Sequence, residues 1–308
     1  MPINIPDDLP AASILESEKI FVMNENRARH QDIRPLEILI FNLMPSKVET
    51  ETQILRLLSN SPIQIDIDLL RTETYISKHT SQDYLQHFYK TFNEIKNKKY
   101  DGMIITGAPV ENMPYESVKY WKEFCEILDW SLTNSFSTMH ICWGALAALY
   151  YHYGIPKHPL DEKISGIYAH VPLEYYHPLL RGFDDVFYMP HSRYMTVKES
   201  DLKGDLKVLA RSEETGPAII MSDKLRQVFV TGHLEYDTMT LANEYKRDLE
   251  KGLHPVIPEN YFPDNDPNAA PKKLWRSHAS LLFSNGLNYF VYQTTPYELK
   301  NGVFVPVE

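Results

Sequence analysis

The chain has 308 residues, 43% hydrophobic and 23% charged, and a formal net charge of −10. That length and balance give a globular chain with ample core and exclude the global basic field that a nucleic-acid partner needs. Cys125 and Cys142 give no disulfide framework, no apolar run reaches the ~18 residues of a membrane span, and the acidic start Pro2–Asp8 has no signal-peptide core, so cytoplasm without membrane contact is expected.

Residues 1–35 are polar, Pro-punctuated and without clear period, which reads as an N-terminal arm that packs on the body or on a partner subunit; 36–308 reads as one α/β domain. Leu36–Met44 is a near-continuous apolar strand, and Lys47–Leu58 has apolar residues at helical spacing. Ile63–Leu69 alternates with period two, and Gln82–Lys98 reads as one polar amphipathic helix. Then come the strand Gly102–Thr106, a turn at Gly107-Ala108-Pro109, a helix over Ser117–Leu132, and the strand Phe136–Ile141. The Ala/Leu-rich segment after Cys142 reads as a helix. Strands alternating with helices predict a doubly wound, mostly parallel sheet flanked by helices. The second half is richer in strands: Ile164–Val171, Val186–Met189, Lys207–Ala210, Ala218–Met221 and Gln227–Thr231. A helix over Met239–Lys251, a Pro/Asn/Asp-rich loop over 254–272 and a last helix over Lys273–Tyr292 follow.

In such sheets ligands bind beyond the carboxyl ends of the strands, and Gly107 and Cys142 both fall at such ends. An apolar strand, one Cys and an immediate helix make the pattern of a nucleophile elbow, and a Cys at a helix N-terminus is favoured as thiolate. A buried structural Cys fits the same stretch taken alone. Downstream, Gln227–Thr231 runs into Gly232-His233-Leu234-Glu235. In extended chain, residues two apart face the same way, so His233 and Glu235 present an imidazole and a carboxylate together. If His233 meets Cys142 in space, the set is a Cys-His-Glu triad. The backbone N–H of Trp143 and the Gly107-Ala108 turn are candidate oxyanion donors. Lys47 opens a helix against its dipole, which hints at a functional reason. No GxGxxG, HExxH or CxxC occurs, and the histidines, His170, His177 and His191 among them, show no metal-ligand spacing, so no metal site is expected.

The runs Asn42-Leu43-Met44-Pro45, Glu49-Thr50-Glu51, Leu57-Leu58-Ser59-Asn60-Ser61-Pro62, Thr106-Gly107-Ala108-Pro109, Pro190-His191-Ser192-Arg193-Tyr194, Val230-Thr231-Gly232-His233 and Asn260-Tyr261-Phe262-Pro263 closely resemble the homoserine O-acyltransferases of methionine biosynthesis, the branch with a class-I-glutaminase-like fold. The resemblance is nearly end to end. It implies Cys142 as acyl-thioester nucleophile, His233 as general base, Glu235 as its orienting partner, and Lys47 with the Trp143 amide at the oxyanion. It further implies Lys163, Ser192 and Arg247 as substrate-binding residues, with Glu244 facing the homoserine ammonium. Ser192 and Glu111 bear on the acyl donor. In this family Gly at position 111 goes with succinyl-CoA and Glu with acetyl-CoA, and a carboxylate there fills space and repels the free carboxylate of a succinyl group.

The resemblance thus implies ping-pong acetyl transfer from acetyl-CoA, as co-substrate, to L-homoserine, in a homodimer with no cofactor. Succinyl transfer is the rival within the class. A glutaminase-type amidotransferase would use the same triad logic, though His140 stands where glutaminases carry Gly. A cysteine redox sensor is the non-enzymatic alternative. The chain departs from many relatives at Leu146, where they carry Gln.

Overall fold

The computed structural model describes residues 3–5, 22–24, 35–75 and 80–295. Within the predicted arm, β1 (Ile3–Ile5) and β2 (Val22–Asn24) pair in parallel, a pairing that the polar composition did not signal. The packing expected of the rest of the arm lies outside the described residues.

The body is built on one ten-stranded sheet. Its first half contains β3 (Leu36–Phe41), α1 (Lys47–Leu58), β4 (Ile65–Leu70), α2 (Gln82–Phe88), β5 (Tyr89–Lys90), α3 (Phe92–Ile95), β6 (Tyr100–Ile105), α4 (Trp121–Asn134), β7 (Ser135–Ile141) and α5 (Trp143–Tyr153). The second half contains β8 (His158–Pro172), β9 (Phe187–Thr196), β10 (Leu206–Ser212), β11 (Gly216–Ser222), β12 (Gln227–Val230), α6 (Thr240–Glu250) and α7 (Arg276–Asn285). The strand order is β5-β4-β3-β6-β7-β12-β11-β10-β8-β9. Neighbours from β5 to β12 run parallel, and those from β12 to β9 antiparallel. The expected doubly wound, mostly parallel core and β-rich second half are therefore both present.

Side-chain alternation divides the core. Ile38 and Ile40 of β3 pack with α1 and α7 on one face, while Leu39 and Phe41 pack with α4 and α5 on the other. Helix α5 is buried from Trp143 to Leu149, which explains its small Ala side chains: it is pressed between the sheet and the aromatic face of α4, with Phe124 5.2 Å from the Trp143 ring.

Two expectations need correction. Gln82–Lys98 is not one helix: the chain straightens at Tyr89–Lys90 to pair with Leu69–Leu70 at the sheet edge. Tyr89 is buried there, its hydroxyl bonded to Asn42 and Glu51, and a Thr91–Glu94 capping box starts the next turn. The last helix begins at Arg276 rather than Lys273 and continues as a π-helical stretch, Gly286–Tyr292. Asn285, at the change, donates to the carbonyls of Leu179 (3.0 Å) and Arg181 (2.8 Å), so tertiary contacts set the winding. Among the described residues no helix is long and apolar enough to cross a membrane.

Candidate active site

Cys142 is the single residue between β7 and α5, with φ 50° and ψ −116°. A positive φ is strained for a residue with a Cβ, on the order of 1–3 kcal/mol, and persists only where the surroundings fix it. Here the Cys142 amide donates to Val230 (2.7 Å) and its carbonyl accepts from Leu146 (3.0 Å). The turn throws the thiol off the strand end, 8% exposed. The next amide, that of Trp143, opens α5 and has no intrahelical acceptor. Gly144 is needed for close approach: a Cβ there meets the Thr106 carbonyl oxygen at 2.6 Å, so α5 sits directly on the end of β6.

His233 follows the end of β12, the neighbour of β7, and its amide donates to the Pro190 carbonyl (2.8 Å) of β9. Its Nδ1 lies 2.7 Å from Glu235 Oε1, and the ring and the Cys142 side chain both border Gly107. Glu235 Oε2 is buried without a hydrogen-bond partner among the described residues, so the imidazole is the one group the carboxylate engages. Burial disfavours a charged ring, but Cys142 and Glu235 outweigh it and hold the imidazole pKa well above its ordinary value. Gly107 completes the arrangement. A Cβ there lies 3.3 Å from the Cys142 Cβ and 3.7 Å from His233 Cε1, so a side chain would enter the gap between thiol and imidazole. The trio expected from sequence therefore meets in space.

The other predicted residues fall into four groups. Lys47, buried at the start of α1, donates to the Asn42 carbonyl. Burial pulls its pKa down to about 8, with Glu51 opposing and Arg71 adding to the fall. Its contacts are thus at the end of β3, which β6 separates from β7. Ser192, on β9, donates to Glu244 Oε2 (2.5 Å), and Tyr236 donates to Glu244 Oε1 (2.9 Å). Tyr236 stacks on His233 with ring centroids 4.1 Å apart, which joins Glu244 to the trio. Lys163 and Arg247 converge instead on Asp248, at 3.4 Å from Lys163 Nζ and 2.9 Å from Arg247 Nε.

Glu111 accepts from the Tyr194 amide (3.0 Å). Burial raises its pKa, against the Tyr194 and Met195 amides and the charges of Arg193 and His233. Arg193 itself is fully buried, donating to His191 Nδ1, the Met195 carbonyl and the Thr215 carbonyl. Burial lowers its pKa to about 10, and the charges of Cys142 and Glu111 oppose that fall. Sequence reasoning assigned no role to Tyr236, Asp248 or Arg193. Tyr236 is three residues past His233 and Asp248 adjoins Arg247, so proximity was the available signal; nothing local marks Arg193 as buried. His170 and His191 meet at 3.1 Å, yet among the described residues no group of three or more His, Cys, Asp or Glu is placed to hold a metal ion.

A family model described as homoserine O-succinyltransferase matches residues 2–297. The chain is 99% identical over 299 residues to a homoserine O-acetyltransferase of Methanomassiliicoccus intestinalis (strain Issoire-Mx1), covering 97% of this chain and 98% of the relative. It is 58% identical over 301 residues to one of Acetivibrio thermocellus, covering 97% and 99%. Among solved structures, a glutamine amidotransferase from Thermotoga maritima aligns over 82% of this chain and 97% of its own, with a TM-score of 0.53 at 15% identity, which is a likeness of fold. On the family match and these identities, the chain belongs to the homoserine O-succinyltransferase family.

Proposed function

We infer that this chain transfers an acetyl group from acetyl-CoA to the hydroxyl of L-homoserine through a thioester on Cys142. The observation that carries the reading is the convergence of the Cys142 thiol, the His233 imidazole and the Glu235 carboxylate. The names of relatives at 99% and 58% identity support the acetyl donor and the acceptor.

The Cys142 sulfur attacks the acetyl carbonyl. The Trp143 amide and the Lys47 ammonium, released from Asn42, stabilise the oxyanion. While the sulfur carries charge, it and Glu235 hold the proton on His233. Acylation removes that charge and one of the two supports of the imidazolium. The ring then yields its proton to the departing CoA thiolate and stands neutral, ready to take the homoserine hydroxyl proton. The alkoxide attacks the thioester, O-acetyl-L-homoserine leaves, and the sulfur regains its charge. Glu244, fixed by Ser192 and Tyr236, faces the homoserine ammonium, and the homoserine carboxylate replaces Asp248 as partner of Arg247 and Lys163. Glu111 disfavours a donor carrying a second carboxylate. This chemistry calls on no cofactor or metal. The same reading includes the homodimer and the cytoplasmic location that the family implies.

Steady-state kinetics with L-homoserine and either acetyl-CoA or succinyl-CoA test it. Acetyl-CoA is expected to be preferred, and an acetyl adduct is expected on the unsubstituted protein but not on Cys142→Ala. A succinyl preference would overturn the donor assignment, and an adduct persisting on Cys142→Ala the nucleophile.

A further inference from the structure

A second cleft, of about 280 Å³, opens at the carboxyl ends of β3, β4 and β6, where ligands bind in sheets of this kind. One wall is Pro109-Val110, immediately past the Gly107-Ala108 turn that lies against Cys142. Leu43, Leu85 and Val118 make the interior apolar. Among the described residues, every charged side chain that lines it is a cation: Lys47, Arg71 and Lys119. That composition runs against a chain of net charge −10. Arg71 has no carboxylate partner among the described residues; its NH1 donates to the Thr72 carbonyl (3.2 Å), and its Nε is buried without a hydrogen-bond partner. The acceptor side is mixed in charge, with the carboxylates Glu244 and Asp248 beside the cations Lys163 and Arg247. An amino acid carrying an ammonium suits that side. A long, partly apolar arm ending in phosphates suits the cationic cleft.

We propose that this cleft holds the pantetheine–diphosphate arm of the acyl donor, with Arg71 and Lys119 on the phosphates and the apolar walls along the arm. The thioester then enters beside Gly107, and homoserine reaches the same sulfur from the β9–α6 side. The proposal rests on the acyl-CoA reading above and assigns the residues that grip the carrier.

The test compares acetyl-CoA with acetyl-pantetheine, which lacks the phosphates, on the unsubstituted protein, Arg71→Ala and Lys119→Ala. The ratio of kcat/KM for acetyl-CoA to that for acetyl-pantetheine is expected to fall about tenfold or more in Arg71→Ala and by less in Lys119→Ala, since charge-assisted contacts to phosphate are lost. CoA alone, titrated calorimetrically, is expected to bind more weakly to both variants. A ratio and a CoA affinity within twofold of the unsubstituted protein in both variants would overturn the proposal. Lys119 is exposed, so its replacement does not hinge on refolding. Failure of the functional reading is distinguishable, because it shows as no acyl transfer to homoserine by the unsubstituted protein. In that event the CoA titration still decides: loss of binding in Arg71→Ala supports the cleft assignment, and no CoA binding by the unsubstituted protein overturns it.

Discussion

The Cys142 amide donates a 2.7 Å hydrogen bond to the carbonyl of Val230, the last residue of β12. This bond continues the parallel ladder between β7 and β12 past the end of β7. It sets the nucleophile at a fixed position relative to His233, three residues further on. The convergence of thiol and imidazole is therefore a matter of strand register, and the strained φ of Cys142 is maintained by the same bond.

That register depends on how closely α5 can seat. Gly144→Ala sets a Cβ at 2.6 Å from the Thr106 carbonyl and 3.1 Å from that of Ile105, both backbone atoms that cannot swing away. The expected outcome is a loss of about 1–3 kcal/mol in stability, as for overpacked cores. Denaturant unfolding checks it, and a midpoint equal to that of the unsubstituted protein would contradict the seating.

Replacing Glu235 by Gln keeps a hydrogen-bonding group at His233 Nδ1 but removes the charge. His233 then loses one of the two charges that hold its pKa up, so its titration moves to lower pH. A fall in kcat of about 10²–10⁴-fold is expected, by analogy with the loss of the carboxylate in other triads. The pH–rate profile checks the direction: an upward shift of the imidazole limb would be inconsistent with the carboxylate's role.

Glu111 is fixed by the Tyr194 amide within the field of Arg193 and His233. Glu111→Gly removes both its bulk and its charge. The preference between acetyl-CoA and succinyl-CoA is expected to move toward succinyl by about tenfold or more in kcat/KM, the usual scale for one steric and one electrostatic exclusion. An unchanged preference would remove Glu111 from donor selection.

Lys47 makes a pH prediction with two signs. Its pKa falls from 10.5 to about 8 in the fold, so the protonated form that the proposed oxyanion contact needs is lost as pH rises through about 8. Between about 8 and 10.5 the unfolded chain holds the proton that the folded chain has released, so the contribution of Lys47 to stability rises with pH across that window. Lys47→Met is expected to cost activity at neutral pH without lowering the thermal midpoint, and Lys47→Arg to move the alkaline activity limb upward. Paired activity and melting profiles from pH 6 to pH 10.5 check both.

Much of this was legible in the sequence because the signals are local. Cys142 stands where an apolar strand meets an Ala-rich helix, and His233 and Glu235 are two residues apart at another strand end. The alternation of strands and helices gave the parallel half of the sheet. What was hidden depends on contacts between distant segments. Tyr89 reads as helical until its hydroxyl meets Asn42 and Glu51, which turns the segment into an edge strand. Nothing in its own run marks Arg193 as buried, because the Thr215 and Met195 carbonyls that enclose it come together only in the fold. The cationic cleft draws on segments near residues 43, 71 and 119, each unremarkable alone.

Strand β12 is where the sheet changes direction, with parallel β7 on one side and antiparallel β11 on the other. All of β8 to β11, with Lys163 and Ser192 on them, lies in sequence between Cys142 and the loop bearing His233. That stretch is an excursion that leaves from the nucleophile's helix and returns to the β7–β12 seam. Because β11 of that stretch pairs with β12 and the Pro190 carbonyl of β9 holds the His233 amide, the same excursion carries the Ser192 and Lys163 side and braces the imidazole, so a change in its length reaches both at once.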